Sequence, residues 1–269
     1  MDVIVNADDL GYSERRDRGI LSAYAEGLIS SASLMVTGDT ATKAALQARQ
    51  IGLPLGLHLN LSEGTPLTTA THIADEQGQL LYKMKFWFLP KTQDVLREIA
   101  AETLAQLERF KELTGAYPVR VDGHQHVHVA KSVPAVLAPI LKDKGVKYVR
   151  IPDQDPDDLV WLDTSQKSRY ETRYVRAVEA RLMYGRHGLK SPLCFVGLGI
   201  SGSEMTMNRI QTSMRPCFGS TEFMVHPGFL RPVVPDKDAF DSDPGRLREY
   251  HVLKAFKNKY TIVDWTSIK

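Results

Sequence analysis

Short apolar runs alternate along this chain with longer stretches in which apolar side chains recur every three or four residues. That alternation predicts βα units around a parallel sheet. Eight runs are strand candidates: Val3–Asn6, Ala32–Val36, Leu55–Asn60, Val119–Asp122, Tyr148–Ile151, Leu193–Gly197, Glu222–Val225 and Tyr260–Trp265. Several are apolar almost throughout, as expected of strands with helices on one face and a barrel interior on the other. An α/β barrel of parallel strands is therefore expected.

The helical stretches carry their own end signals. Ser13 suits the cap of a helix running through Ile20, Leu21 and Tyr24, and Gly27 suits its left-handed stop. Across Gln93–Leu113, the residues Leu96, Ile99, Thr103, Leu107 and Phe110 share one face before Gly115. Asp243-Pro244 predicts the start of a last helix with Leu247, Tyr250 and Leu253 on one side. Two segments are less regular, Thr65–Pro90 and Asp153–Pro192, the second with a helix-like part at Arg169–Leu182. Both read as insertions that cover a pocket or form a subunit contact. There is no internal repeat and no low-complexity tract.

Composition narrows the class. A length of 269 residues with 43% hydrophobic content is ample for a core, and barrels of roughly 250 residues form single domains. Lys and Arg number 34 against 32 acidic residues, without a basic cluster, which argues against nucleic acid as a partner. No run approaches the ~18 apolar residues of a membrane span. The N-terminus lacks a basic, cleavable leader pattern. Cys194 and Cys217 make no disulfide framework, so buried or inert thiols in a reducing cytoplasm are expected.

The polar residues that break the apolar runs fall at the same ends of the strands. They are Asp8 and Asp9 after the first strand, His58 and Asn60 on the third, and Asp122, His124, His126 and His128 at the fourth. Arg150 follows on the fifth and His226 on the seventh. In a parallel barrel these ends converge on one face, where active sites form. Ionisable groups there are costly unless paired or bound to a metal. Adjacent carboxylates such as Asp8 and Asp9 resist joint ionisation without a cation between them, so one is expected as a metal ligand and the other as a general base.

Alternate residues of an extended run share a face, so His124, His126 and His128 are expected to point together, with one or two reaching metal. Asp122 suits the acceptor that fixes a histidine tautomer. Asn60, two residues after His58, would face the same side and orient a ligand or water. His226 is the candidate general acid. One carboxylate with two histidines suits Zn²⁺, Mn²⁺, Co²⁺ or Fe²⁺, and Mg²⁺ less well.

Taken in order, Asn6-Ala7-Asp8-Asp9-Leu10-Gly11, Gly56-Leu57-His58-Leu59-Asn60, Asp122-Gly123-His124-Gln125-His126-Val127-His128 and His226-Pro227-Gly228 resemble the signature segments of the YdjC-like carbohydrate deacetylases. The resemblance extends to Ser33–Val36, Glu102, Gln106 and Arg248-Glu249. It implies a distorted TIM-like (β/α) barrel that hydrolyses the N-acetyl group of an amino sugar. It further implies one divalent metal on Asp9, His58 and His124, with His126 open as the alternative third ligand. Asp8 would be the base, His226 the acid, and Arg150 the group that orients Asp8. The chain departs from the pattern at Arg16-Asp17-Arg18 and across Asp153–Pro192, which bears on substrate choice. Trp87 and Trp161 are candidate sugar-stacking platforms. A phosphoester or cyclic-amide hydrolase, and a sugar-binding barrel without turnover, are the competing classes. A homodimer through 153–192 is a further expectation.

Overall fold

The computed structural model describes residues 1–229 and 242–268. All eight strand candidates form strands, and every pairing is parallel. They are β1 (Asp2–Leu10), β2 (Ser31–Leu34), β3 (Leu55–Leu59), β4 (Arg120–Gly123), β5 (Tyr148–Val149), β6 (Cys194–Val196), β7 (Thr221–Val225) and β8 (Thr261–Ile262). Seven form one curled path in the order β5-β4-β3-β2-β1-β7-β6. The eighth, β8, lies off this path and pairs only with Asp2 and Val3 of β1. The result is a single α/β domain with a half-open, distorted TIM-like barrel.

The helices are α1 (Glu14–Ala25), α2 (Ala41–Gln50), α3 (Lys83–Phe88), α4 (Gln93–Thr114), α5 (Val133–Asp143), α6 (Thr164–Arg186), α7 (Met207–Met214) and α8 (Gly245–Lys257). Ser13 caps α1 by accepting from the Arg16 backbone N–H, and Gly115 ends α4 at φ 93°. The α4 side chains expected on one face, Ile99, Thr103, Leu107 and Phe110, are buried. The 65–90 stretch holds the short helix α3, and most of 153–192 is α6, which links β5 to β6. Among the described residues no helix is long and apolar enough to cross a membrane.

The barrel interior is polar. Alternate residues point inward along a strand, and here that set includes Asn6 and Asp8, Ser31 and Ser33, His58, Arg120 and Asp122, Arg150, and Glu222, all buried. Hydrogen bonds join them into one network. Arg120 reaches Ser33 and Asp122 (both 3.2 Å), Asn6 reaches Ser33 (2.7 Å), and Ser31 reaches Asn6 (2.7 Å). Gly56 makes room for it, because a Cβ there would stand 2.6 Å from Arg120 Cγ.

One expectation about the fold is overturned. Cys194 and Cys217 are joined by a disulfide, with Cα atoms 5.6 Å apart. The fold brings the start of β6 beside the turn that follows α7, a proximity that a 23-residue separation in sequence does not reveal.

Candidate functional site

The site begins with a break in β1. Asp9 adopts a left-handed backbone (φ 68°), and the register with β2 shifts between Ala7 and Leu10. A regular strand would send Asp8 and Asp9 to opposite faces. The irregularity turns both into the cleft at the C-terminal ends of the strands, which they line together.

Two imidazoles converge on Asp9. His58 Nε2 stands 3.1 Å and His124 Nδ1 3.0 Å from the same oxygen, Asp9 Oδ1. The other nitrogen of each ring faces a carboxylate, His58 Nδ1 to Asp122 at 2.7 Å and His124 Nε2 to Glu63 at 2.8 Å. Such pairs fix the tautomer and turn the remaining nitrogen toward a metal. The donor atoms of Asp9, His58 and His124 lie within 4.8 Å of one another, and all three residues are buried. Their chemistry and convergence fit a divalent transition ion.

Electrostatics agree with that fit. Burial raises the Asp9 pKa, but Arg16 and the hydrogen bonds from His124 and His58 outweigh it and hold the carboxyl well below its usual range. Burial alone would lower His58, yet Asp122 and the contact with Asp9 raise it to about 10.

A second cluster, Asp8, His58 and Asp122, is also close enough to bind a cation. Arg150 already fills it. Its guanidinium grips Asp8 with two hydrogen bonds (2.5 and 2.7 Å), bonds Glu222 (2.7 Å) and stands 3.3 Å from Asp122. A second metal would have to displace a fully buried arginine. Asp8 Oδ1 accepts from both Asn6 and Arg150, whereas Oδ2 accepts from Arg150 and faces His226 Nε2 across 4.0 Å.

His226 sits on a braced turn. Its backbone N–H donates to Glu249 Oε2 (2.5 Å), and Arg246 ion-pairs with Glu249 (3.1 Å) and donates to the His226 carbonyl (3.3 Å). Burial lowers the His226 pKa, against the opposing pull of Glu249, Asp9 and Asp8.

The cleft encloses about 310 Å³. Asp8, Asp9, His58, His124, His226 and Ser201 line it together with Lys83, Tyr170 and Arg173. A larger groove of about 650 Å³ shares Lys83, Tyr170 and Arg173 with it and is lined further by Trp87 and Phe88.

The comparisons bear on the whole chain. The family described as YdjC-like protein matches residues 2–261. A carbohydrate deacetylase of Mus musculus is 39% identical over 274 residues, covering 94% of this chain and 88% of the relative.

The chain belongs to the YdjC-like family.

A chitooligosaccharide deacetylase of Serratia marcescens is 36% identical over 146 residues, which is 54% of this chain and 57% of that protein. A solved structure of a candidate cellobiose-phosphate cleavage protein from Enterococcus faecalis superposes with a TM-score of 0.78 at 19% identity, covering 99% of this chain and 98% of that one. At that identity it supports the fold alone.

Several residues stand elsewhere than the sequence suggests. The run from His124 to His128 is not extended. It forms tight 3₁₀ turns with left-handed Gln125 (φ 52°) and His126 (φ 61°), so the three imidazoles diverge. His124 goes to Asp9. His126 lines the cleft edge-on to Phe195, at 6.0 Å between centroids. His128 is fully buried, and its Nε2 lies 2.9 Å from the Arg150 carbonyl. Gly123 permits this, since a Cβ there would meet His128 Nδ1 at 2.6 Å.

Asn60 does not reach the cleft. Its amide donates to Thr37 (2.9 Å) and to the Glu63 carbonyl (2.6 Å), while Gln106 and Glu102 brace the same loop from α4. Asn60 thus helps to set Glu63, which sequence reasoning missed although it lies five residues after His58. Arg16, noted only as a departure from the family pattern, is buried and bonds Asp9 Oδ2 at 2.9 Å. Trp87 lines the larger groove, whereas the Trp161 indole donates to the Gly199 carbonyl (3.0 Å) and packs in the fold.

Proposed function

We propose that this chain is a metal-dependent carbohydrate deacetylase that hydrolyses the N-acetyl group of an acetylated amino sugar or oligosaccharide. The observation that carries the reading is the pair of carboxylate-backed histidines aimed at Asp9, set beside the 4.0 Å gap between Asp8 and His226. The names of the relatives support the same chemistry.

Asp9, His58 and His124 would hold one divalent ion. Zn²⁺, Mn²⁺, Co²⁺ and Fe²⁺ suit this nitrogen-rich set better than Mg²⁺. When bound, the ion supplies Lewis acidity toward the acetyl carbonyl and makes a water more acidic. Asp8 takes the proton of the attacking water at Oδ2, the oxygen that faces His226. Arg150 and Asn6 fix the plane of that carboxylate. His226 protonates the departing amine, and its lowered pKa makes its protonated form a stronger donor. Tyr170, Arg173 and Lys83 line both this cleft and the larger groove beside it, so they would face a bound sugar that extends from one to the other.

A phosphoester hydrolase would be better served by a second open metal cluster, and Arg150 closes the one further candidate among the described residues. The discriminating experiment assays one metal-loaded sample for acetate from N,N′-diacetylchitobiose and for phosphate from an aryl phosphate. Acetate without phosphate is the expected result. Phosphate release alone would overturn the assignment.

A further inference from the structure

Asp9 divides its two oxygens between different partners. Oδ1 faces His58 Nε2 at 3.1 Å and His124 Nδ1 at 3.0 Å, whereas Oδ2 accepts from Arg16 at 2.9 Å. Both members of the Arg16–Asp9 pair are buried. The guanidinium lies 3.5 Å from the centroid of the Tyr12 ring, and Tyr12 donates its hydroxyl to Glu63 Oε1 (2.5 Å). Glu63 Oε2 closes the circuit on His124 Nε2 at 2.8 Å. The helix that carries Arg16 is itself anchored. Asp17 accepts from the Gly11 N–H at 2.6 Å, and at Gly19 a Cβ would stand 2.4 Å from Gly228 Cα.

We propose that Arg16 is a positioning residue that restricts Asp9 to one-oxygen ligation and thereby selects Zn²⁺ or Co²⁺ over Mn²⁺. The inference rests on the metal-site reading above. A free carboxylate can give a metal one oxygen or both. With Oδ2 engaged by Arg16, Asp9 has one to give. Asp9, His58 and His124 then offer one atom each, which is the donor set of a four-coordinate zinc site with one position open. A second Asp9 oxygen would add a further protein donor and more oxygen character, which suits Mn²⁺. The guanidinium acts here through geometry. Its charge opposes every divalent ion to a similar extent and so lowers affinity without discriminating. The held oxygen discriminates. The departure from the family pattern at Arg16 thus takes effect at the metal rather than at the sugar.

Competition with a fluorescent chelator gives the Zn²⁺ and Mn²⁺ affinities of the parent chain, Arg16→Met and Arg16→Lys, each checked for fold by circular dichroism. Removing the charge strengthens both ions alike, so the ratio of the two affinities isolates the geometry. In Arg16→Met the preference for Zn²⁺ over Mn²⁺ is expected to fall by about tenfold. Arg16→Lys keeps a donor for Oδ2 and should keep the parent ratio. The visible absorption of bound Co²⁺ gives a second reading, because its intensity falls as coordination number rises. It should be strong in the parent and in Arg16→Lys, and weaker in Arg16→Met. An unchanged ratio or an unchanged Co²⁺ spectrum in Arg16→Met would overturn the proposal and leave the metal site standing. So would a weak Co²⁺ spectrum in the parent, whether or not the variants fold. A parent that takes up no divalent ion would overturn the site and the proposal together.

Discussion

Asp122 Oδ1 lies 2.7 Å from His58 Nδ1, and this contact leaves His58 Nε2 facing Asp9 at 3.1 Å. Asp122 is itself held by Ser33 and Arg120, so the histidine is oriented by a side chain that cannot easily turn. Removing the orienting carboxylate should cost metal affinity before it costs fold. Asp122→Asn is expected to weaken metal binding by roughly 10–100-fold. Competition with a fluorescent chelator reads this directly.

The same geometry would make metal binding pH-dependent. With its pKa raised to about 10, His58 carries a proton at neutral pH in the metal-free protein. Metal and proton compete for Nε2, so binding releases a proton, and affinity rises as pH rises toward 10. Titration calorimetry in two buffers of different ionisation enthalpy should show the release. Identical heats in both buffers would contradict it.

Arg150 neutralises a buried group of acids. It bonds Asp8 and Glu222 and stands beside Asp122, while burial pushes the Glu222 pKa up to about 7 against its pull. Arg150→Met would leave these carboxylates without their shared counter-charge. A loss of about 3–5 kcal/mol in denaturant unfolding is expected. Arg150→Lys should keep much of the stability but lose the two-pronged grip on Asp8, lowering kcat more than it changes KM.

Asp17 gives a stability signature of its own. Burial pushes its pKa from 3.8 to about 6, although the Gly11 N–H donates to it at 2.6 Å. The folded state therefore holds this proton more tightly than the unfolded chain does. Asp17 costs stability above pH 6, on the order of 2–3 kcal/mol, and the cost fades as pH falls toward 3.8. Asp17→Asn should remove that slope and be the more stable protein at pH 8. Urea unfolding at several pH values compares the two.

The disulfide staples the fold and leaves the chemistry alone. Cys194 starts β6, whereas the cleft takes Gly197 and Leu198 from beyond the other end of that strand. Closing a 23-residue separation should contribute about 3 kcal/mol through the unfolded chain. Replacing both cysteines with serine should lower the thermal midpoint and leave turnover on an acetylated sugar unchanged at moderate temperature.

The strands were legible because the runs are short and apolar, and several end in a polar group. Asp9, His58 and His124 were legible for the same reason, as costly groups repeated at one end of a parallel sheet. The divergence of His124, His126 and His128 was not, because non-glycine residues such as Gln125 and His126 do not advertise positive φ. Glu63 and Arg16 reach the site from loops, so their part depends on tertiary placement that no local spacing encodes. The polar barrel interior was half visible. Asn6, Ser33 and Arg120 alternate with apolar neighbours, yet only the curled sheet shows that they bond one another.

The most direct test of the account is acetate release from N,N′-diacetylchitobiose by one preparation, first stripped with a chelator and then resupplied with a single equivalent of Zn²⁺ or Co²⁺. Asp9→Ala and Asp8→Asn are assayed beside it. The account predicts no release from stripped protein and recovery near one ion per chain. It also predicts that Asp9→Ala neither binds the ion nor turns over, and that Asp8→Asn binds the ion but loses at least about 100-fold in kcat. Acetate release that survives chelation, or a loaded Asp8→Asn protein as active as the parent, would contradict it.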